Sequence, residues 1–106
     1  MVIEWLKIKV LPELREQYIQ TDAEIWTAAL KTYPGFLSKE VWINPAEQLD
    51  VVIVIRWTTR AQWKSFPPER LARLEHQFAQ AMPTGHQMVE TGEYQVRKFA
   101  PSAGAQ

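Results

Sequence analysis

Asp22 is the residue best placed to do chemistry, because it is a carboxylate set into the apolar stripe of a helix. The pattern predicts a helix over 12–33. At about 100° per residue, Leu14, Tyr18, Ile19, Ile25, Trp26, Ala29 and Leu30 fall on an arc of roughly 160° with Asp22 near its centre. Glu13, Glu16, Gln17, Gln20, Glu24, Thr27 and Lys31 take the other side. An ionised carboxylate facing apolar surface is costly, so Asp22 must gain a partner, rise in pKa or face a solvated cavity. In a cavity it would be a catalytic base or the anchor of a polar ligand. The alternative is a bond to a tyrosine hydroxyl, to an arginine of the sheet, or to backbone at a break in the helix. Thr21-Asp22-Ala23-Glu24 has N-cap character that would suit a helix restarting there.

Tyr18 and Trp26 flank Asp22 at i−4 and i+4, a spacing that builds either an aromatic wall around a flat ligand or packed core. Tyr33 and Trp63 carry the same two readings. Arg56 interrupts the apolar run of a strand and would answer Asp22 or Glu40. Tyr18, Trp26, Tyr33, Arg56 and Trp63 are therefore the candidate ligand-binding residues around a catalytic Asp22. Two separated histidines, without clustered acids, make no recognisable metal site. His86, in a Gly-containing loop, is expected to be exposed.

The elements that position these residues follow from periodicity. Strands are predicted over 2–10, 36–44, 51–58 and 86–99, with 44–50 a polar hairpin connection and Gly92 a bulge or kink in the last strand. Tyr33-Pro34-Gly35 stops the first helix. Thr59-Arg60-Ala61-Gln62 caps a short helix carrying Trp63, and a further helix over 68–82 aligns Leu71, Leu74, Phe78 and Met82. The order is a ferredoxin-like split βαβ, an α+β fold with a four-stranded antiparallel sheet and helices on one face. The other face is expected to be apolar, since Ile3, Trp5 and Trp42 oppose the core-facing residues and 51–55 is apolar on both sides. A second copy of the same sheet would cover it, making a homodimer with Trp5, Trp42 or Trp57 at the seam.

The chain has 106 residues, 46% of them hydrophobic, and twelve charges of each sign. That length predicts one domain, 1–99, with a frayed tail over 100–106. Interleaved, balanced charges speak against nucleic-acid binding. No stretch approaches a membrane span, and the absence of cysteine rules out disulfides and thiolate chemistry, so the chain reads as cytoplasmic. No Gly-rich phosphate loop, G-x-S-x-G elbow or dinucleotide fingerprint is present.

Tyr33-Pro34-Gly35-Phe36 leading into the second strand, and 51–57 followed by Gln62-Trp63, resemble the dimeric α+β barrel superfamily of the antibiotic-biosynthesis monooxygenases over nearly the whole chain. Asp22-Ala23-Glu24-Ile25-Trp26 and the closing 92–99 are most similar to short cyanobacterial proteins with no assigned reaction. The resemblance implies a side-by-side dimer and a cavity between helices and sheet in each protomer. It implies a reaction less sharply, because the superfamily holds cofactor-independent oxygenases of polycyclic phenols, haem-degrading enzymes, isomerases and proteins without catalysis.

The first reading is a cofactor-independent oxygenase, with no cofactor or metal, acting on a small aromatic or enolisable substrate. The alternative is a non-catalytic homodimeric ligand-binding or assembly protein. Haem binding or degradation is the weakest reading. The resemblance to haem-degrading relatives would make His76 the iron ligand with Trp63 before it. His76 lies about 160° from the centre of its helix's apolar stripe, however, and Glu4-Trp5-Leu6-Lys7 lacks the pocket asparagine of those enzymes.

Overall fold

Alternation in the first strand decides which side of the sheet the helices cover. The computed structural model describes residues 1–102. Strand β1 (Val2–Val10) buries Val2, Ile8 and Val10, and leads into helix α1, residues 12–30. Strand β2 (Phe36–Asn44) and strand β3 (Glu47–Trp57) form a hairpin. Helices α2 (Arg60–Lys64) and α3 (Pro68–Ala81) precede strand β4 (His86–Gln95). The sheet order is β2-β3-β1-β4 and every pairing is antiparallel, which is the ferredoxin-like arrangement. No helix among the described residues is long and apolar enough to cross a membrane.

The core forms where α1 and α3 lie on one face of the sheet. Ile8 pairs with Val51, Leu6 with Ile53 and Val2 with Trp57, so their side chains share that face. Tyr18, Ile25, Ala29 and Leu30 of α1, with Leu74, Phe78 and Met82 from α3 and its end, close over them. Burial of each large side chain contributes about 1.5–3 kcal/mol.

Several boundaries differ from the sequence expectation. Helix α1 ends at Leu30, because Thr32 turns back to the Ala29 carbonyl through both its N–H (3.2 Å) and its Oγ1 (2.8 Å). Gly35 follows with φ +90°, and a Cβ there would lie 2.5 Å from the Gln62 side chain, so this glycine lets α2 approach. The hairpin is tighter than expected. Asn44 pairs with Glu47, its Oδ1 accepts the Ala46 N–H at 2.9 Å, and 47–50 join β3. In β4 the irregularity falls at Val89, opposite Lys7 and Ile8, rather than at Gly92. Gly92 pairs regularly with Trp5, and a Cβ there would lie 3.0 Å from the Tyr94 ring. Strand β4 ends at Gln95, and residues 96–102 carry no regular structure. The rest of the expected tail, 103–106, lies outside the described residues.

The uncovered face combines apolar side chains with ion pairs. Ile3 and Trp5 are half-buried there, Trp42 and Tyr94 are exposed, and Val54 is buried. Asp50 is buried beside Lys9, 2.5 Å away, and Lys7, 3.4 Å away. The Lys9 hydrogen bond holds the Asp50 carboxyl below the usual range.

Candidate functional site

One polar row crosses the core face of the sheet. In register, Glu4 of β1 and Lys39 of β2 flank Ile55 of β3, so both side chains rise beneath the helices. Lys39 Nζ reaches Asp22 Oδ2 of α1 at 2.6 Å, and each side chain is only 4% exposed. Oδ2 is fully buried, and this ammonium is the one charged group that meets it among the described residues. Burial pushes the Asp22 carboxyl up against the opposing pull of Lys39, and pushes the Lys39 ammonium down against the pull of Asp22. Glu4 accepts a hydrogen bond from Trp57 Nε1 at 3.1 Å, and burial raises its pKa too.

Around this row lies a cavity of about 720 Å³, within the range of about 300–1,000 Å³ usual for small-molecule sites. Asp22, Lys39, Glu4 and Tyr18 give it a polar end, while Trp26, Trp57, Trp63 and Phe66 give it aromatic walls. A side pocket of about 380 Å³ shares Glu4, Leu6, Trp63 and Lys64 with it and reaches Thr91, Gly92 and Glu93 of β4. Arg60 Nε and Glu93 Oε2, 2.6 Å apart, tie α2 to β4 beside that pocket. Lys64 Nζ sits 4.0 Å over the Trp63 ring.

The helix geometry at Asp22 is also special. Helix α1 opens with a 3-10 turn at Pro12–Leu14, is α-helical over Arg15–Asp22, and widens into a π-turn over Ala23–Thr27 before a last turn at Ala28–Leu30. The Ala28 N–H donates to the Ala23 carbonyl, five residues back. The break suggested by Thr21-Asp22-Ala23-Glu24 is therefore a widening, and the helix does not restart. Such turns are frequent at functional sites.

Of the residues singled out from sequence, Asp22, Tyr18, Trp26 and Trp63 line the cavity together. Tyr18 is buried, its hydroxyl makes no hydrogen bond to a described residue, and burial followed by the Asp22 charge pushes its pKa up, so it stays a phenol. Arg56 and Tyr33 lie elsewhere. Ile55 faces the helices, so the period of two sends Arg56 to the uncovered face, where it pairs with Glu40 at 2.7 Å. Tyr33 donates to the Ser65 carbonyl at 2.6 Å, with its ring 4.7 Å from Phe66, which fastens α2 to the end of α1. His86 is half-buried, not exposed: it opens β4, lines the cavity, lies 5.3 Å from the Tyr18 ring and 5.5 Å from Phe78, and has Nε2 2.7 Å from the Met82 carbonyl. His76 is exposed on α3.

Glu4 and Lys39 were absent from the sequence-derived site. Both carry a signal, since Glu4 shares parity with Val2, Leu6 and Ile8, and Lys39 with Val41 and Ile43. A charge at an inward position of a strand is as informative as Asp22 on its helix.

Residues 1–67 match the family model for antibiotic biosynthesis monooxygenase. The chain belongs to that family. A search of curated proteins finds no match. Solved structures similar to this monooxygenase-family chain include SnoaB, a cofactor-independent oxygenase from Streptomyces nogalater, with TM-score 0.70 and 18% identity over 95% of this chain and 97% of that one. The haem degrader MhuD from Mycobacterium tuberculosis, with two haems bound in its active site, gives 0.75 and 16% over 95% and 100%. HapK from Hahella chejuensis gives 0.74 and 17% over 98% and 100%. At these identities the likeness is one of fold.

Proposed function

We propose that the cavity is the active site of a cofactor-independent oxygenase acting on a small planar phenol or enolisable compound. The observation that carries this reading is a buried carboxylate, Asp22, at the wall of a 720 Å³ cavity, with the Lys39 ammonium 2.6 Å from its Oδ2 and the Tyr18 phenol in the same lining. Asp22 takes the substrate proton. The negative charge moves to the substrate, where the Lys39 ammonium and the Tyr18 hydroxyl stabilise it. The electron-rich anion transfers an electron to dissolved oxygen, the radical pair forms a C–O bond, and the peroxide regains the proton from Asp22. Loss of water leaves a carbonyl where the substrate had a methylene. The substrate supplies all four electrons, and the second oxygen atom leaves as water. Trp26 and Trp63 stack on the ring and exclude bulk water.

The test is turnover of 1,8-dihydroxy-9-anthrone in air, followed as the anthraquinone. Asp22→Asn is expected to lower kcat by about 100-fold. Undiminished turnover by that variant overturns the assignment.

A second reading rests on the ion pair itself. Lys39 partners Asp22 within the protein, which suits a non-catalytic homodimeric protein whose cavity holds a ligand. Native mass spectrometry of protein purified without added ligand separates the two, because a retained, unmodified small molecule without turnover favours storage or binding. Both readings place the uncovered sheet face, with Trp42 and Tyr94 exposed, against a second copy. Haem ligation finds little support, since His76 is exposed outside the cavity and His86 Nε2 already faces the Met82 carbonyl.

A further inference from the structure

The inward-facing charges of the cavity are not all paired. Asp22 and Lys39 answer each other at 2.6 Å, which leaves Glu4 as a second inward carboxyl with no ion pair among the described residues. Its hydrogen bond comes from the Trp57 indole, a donor that carries no charge. An ionised Glu4 is thus balanced only at a distance, by Lys64 and Lys39, and a protonated Glu4 carries an O–H that the indole cannot accept. The charged groups around it come from every neighbouring element. Lys39 on β2 acts at longer range and is already engaged. The charge of Lys64 on α2 also reaches Glu4 without forming an ion pair; that side chain is exposed, with its ammonium over the Trp63 ring. Glu93 on β4 is held by Arg60, while Asp22, Glu75 on α3 and His86 on β4 supply no cation that meets it. Glu4 also lines both the main cavity and its side pocket, held by the Trp57 N–H, with Trp63 in the same two linings.

We propose that the cavity takes an aromatic ligand carrying a protonated amine, with the ammonium seated on Glu4 at the junction of the two pockets and the ring against the tryptophan walls. This rests on the cavity being the ligand site and not on the oxygenation. For a substrate it means two anchors within the polar end: Asp22, Lys39 and Tyr18 at the reacting carbon, and Glu4, on the other side of Ile55 from Lys39, at the cation.

The pH dependence follows from the same geometry. Burial raises the Glu4 pKa, so in the empty cavity Glu4 holds its proton to higher pH than an exposed glutamate. An arriving ammonium favours the carboxylate and displaces that proton. Cation affinity therefore rises with pH up to the titration of Glu4 and is flat above it.

Isothermal titration calorimetry with tyramine, 4-ethylphenol and 4-hydroxyphenylacetate, between about pH 5 and pH 8, tests this. These probes share the phenol and differ in carrying a cation, no charge or an anion. Tyramine is expected to bind at least about tenfold more tightly than 4-ethylphenol, with the anion weakest. Buffers of different ionisation enthalpy should reveal a proton released with tyramine. Glu4→Gln, which keeps an acceptor for the Trp57 N–H, should erase the preference and the pH slope, so that tyramine and 4-ethylphenol bind that variant alike. Equal affinity for tyramine and 4-ethylphenol, preference for the anion, no binding of tyramine, or a preference that survives in Glu4→Gln would each overturn the proposal. The wild-type ranking decides even if the variant does not fold. Tyramine binding without anthrone turnover would remove the oxygenase reading alone, and turnover without the cation preference would remove this inference alone.

Discussion

Asp22 and Lys39 neutralise each other only while both are present. Lys39→Met keeps the side-chain volume and strands a buried carboxylate, so it is expected to cost about 3–5 kcal/mol in urea unfolding. The double change Asp22→Leu with Lys39→Met should recover most of that loss, because a buried pair is often no better than an apolar replacement of similar size. Glu4 makes the opposite kind of prediction. Its folded-state pKa is raised from the ordinary 4.5, so the stability it adds is full below that value and is lost as pH rises through the folded-state titration. Glu4→Gln should therefore gain in Tm relative to the wild type on going from acid to neutral pH. A constant difference across that range, measured by thermal melts, would show that Glu4 is not desolvated. Asp22 stood out in the sequence because helical periodicity isolates one odd residue on an apolar stripe. Its partner could not be named from the helix, since the pairing joins residues seventeen apart in sequence through the register of β2. Lys39 takes Asp22, and Arg56, expected to answer Asp22 or Glu40, takes Glu40. One step of strand alternation separates its face from the face of Lys39.

At the scale of elements, α2 holds the cavity's aromatic edge through few bonds. Thr59 Oγ1 accepts the Gln62 N–H at 3.1 Å and caps the helix that carries Trp63 and Lys64. Thr59→Ala is expected to cost about 1 kcal/mol in urea unfolding and to speed amide exchange in 60–64 before the rest of the chain. Strands β1 and β2 have the bounds that alternation predicts, and the Thr59 cap was legible as a local signal. Other features were not. The π-turn changes backbone hydrogen bonding without disturbing the apolar spacing of Tyr18, Ile25, Ala29 and Leu30, so periodicity carries no trace of it. The bulge at Val89 was equally hidden. His86, Met88, Thr91 and Glu93, which share the cavity face across it, include no run of buried apolar residues to reveal a change of phase.

For the whole molecule, the sheet separates two tasks. One face builds the cavity, and the other presents Trp42 and Tyr94 among the ion pairs Arg56–Glu40 and Lys9–Asp50. A dimer through that face should lose affinity when both aromatics are replaced by charge. The variant Trp42→Glu with Tyr94→Lys is expected to run as a 12.3 kDa monomer in light scattering where the wild type runs at twice that mass. A monomeric wild type at micromolar concentration would sink the face as a self-association surface. The same division sorts the tryptophans. Trp26, Trp57 and Trp63 line the cavity, whereas Trp5 and Trp42 lie on the opposite face. The unlabelled protein therefore carries two optical reporters separated by the thickness of a sheet. With Trp5→Phe and Trp42→Phe the emission belongs to the cavity and responds to filling. With the cavity tryptophans replaced instead, it responds to association, so occupancy and assembly become separately visible in solution.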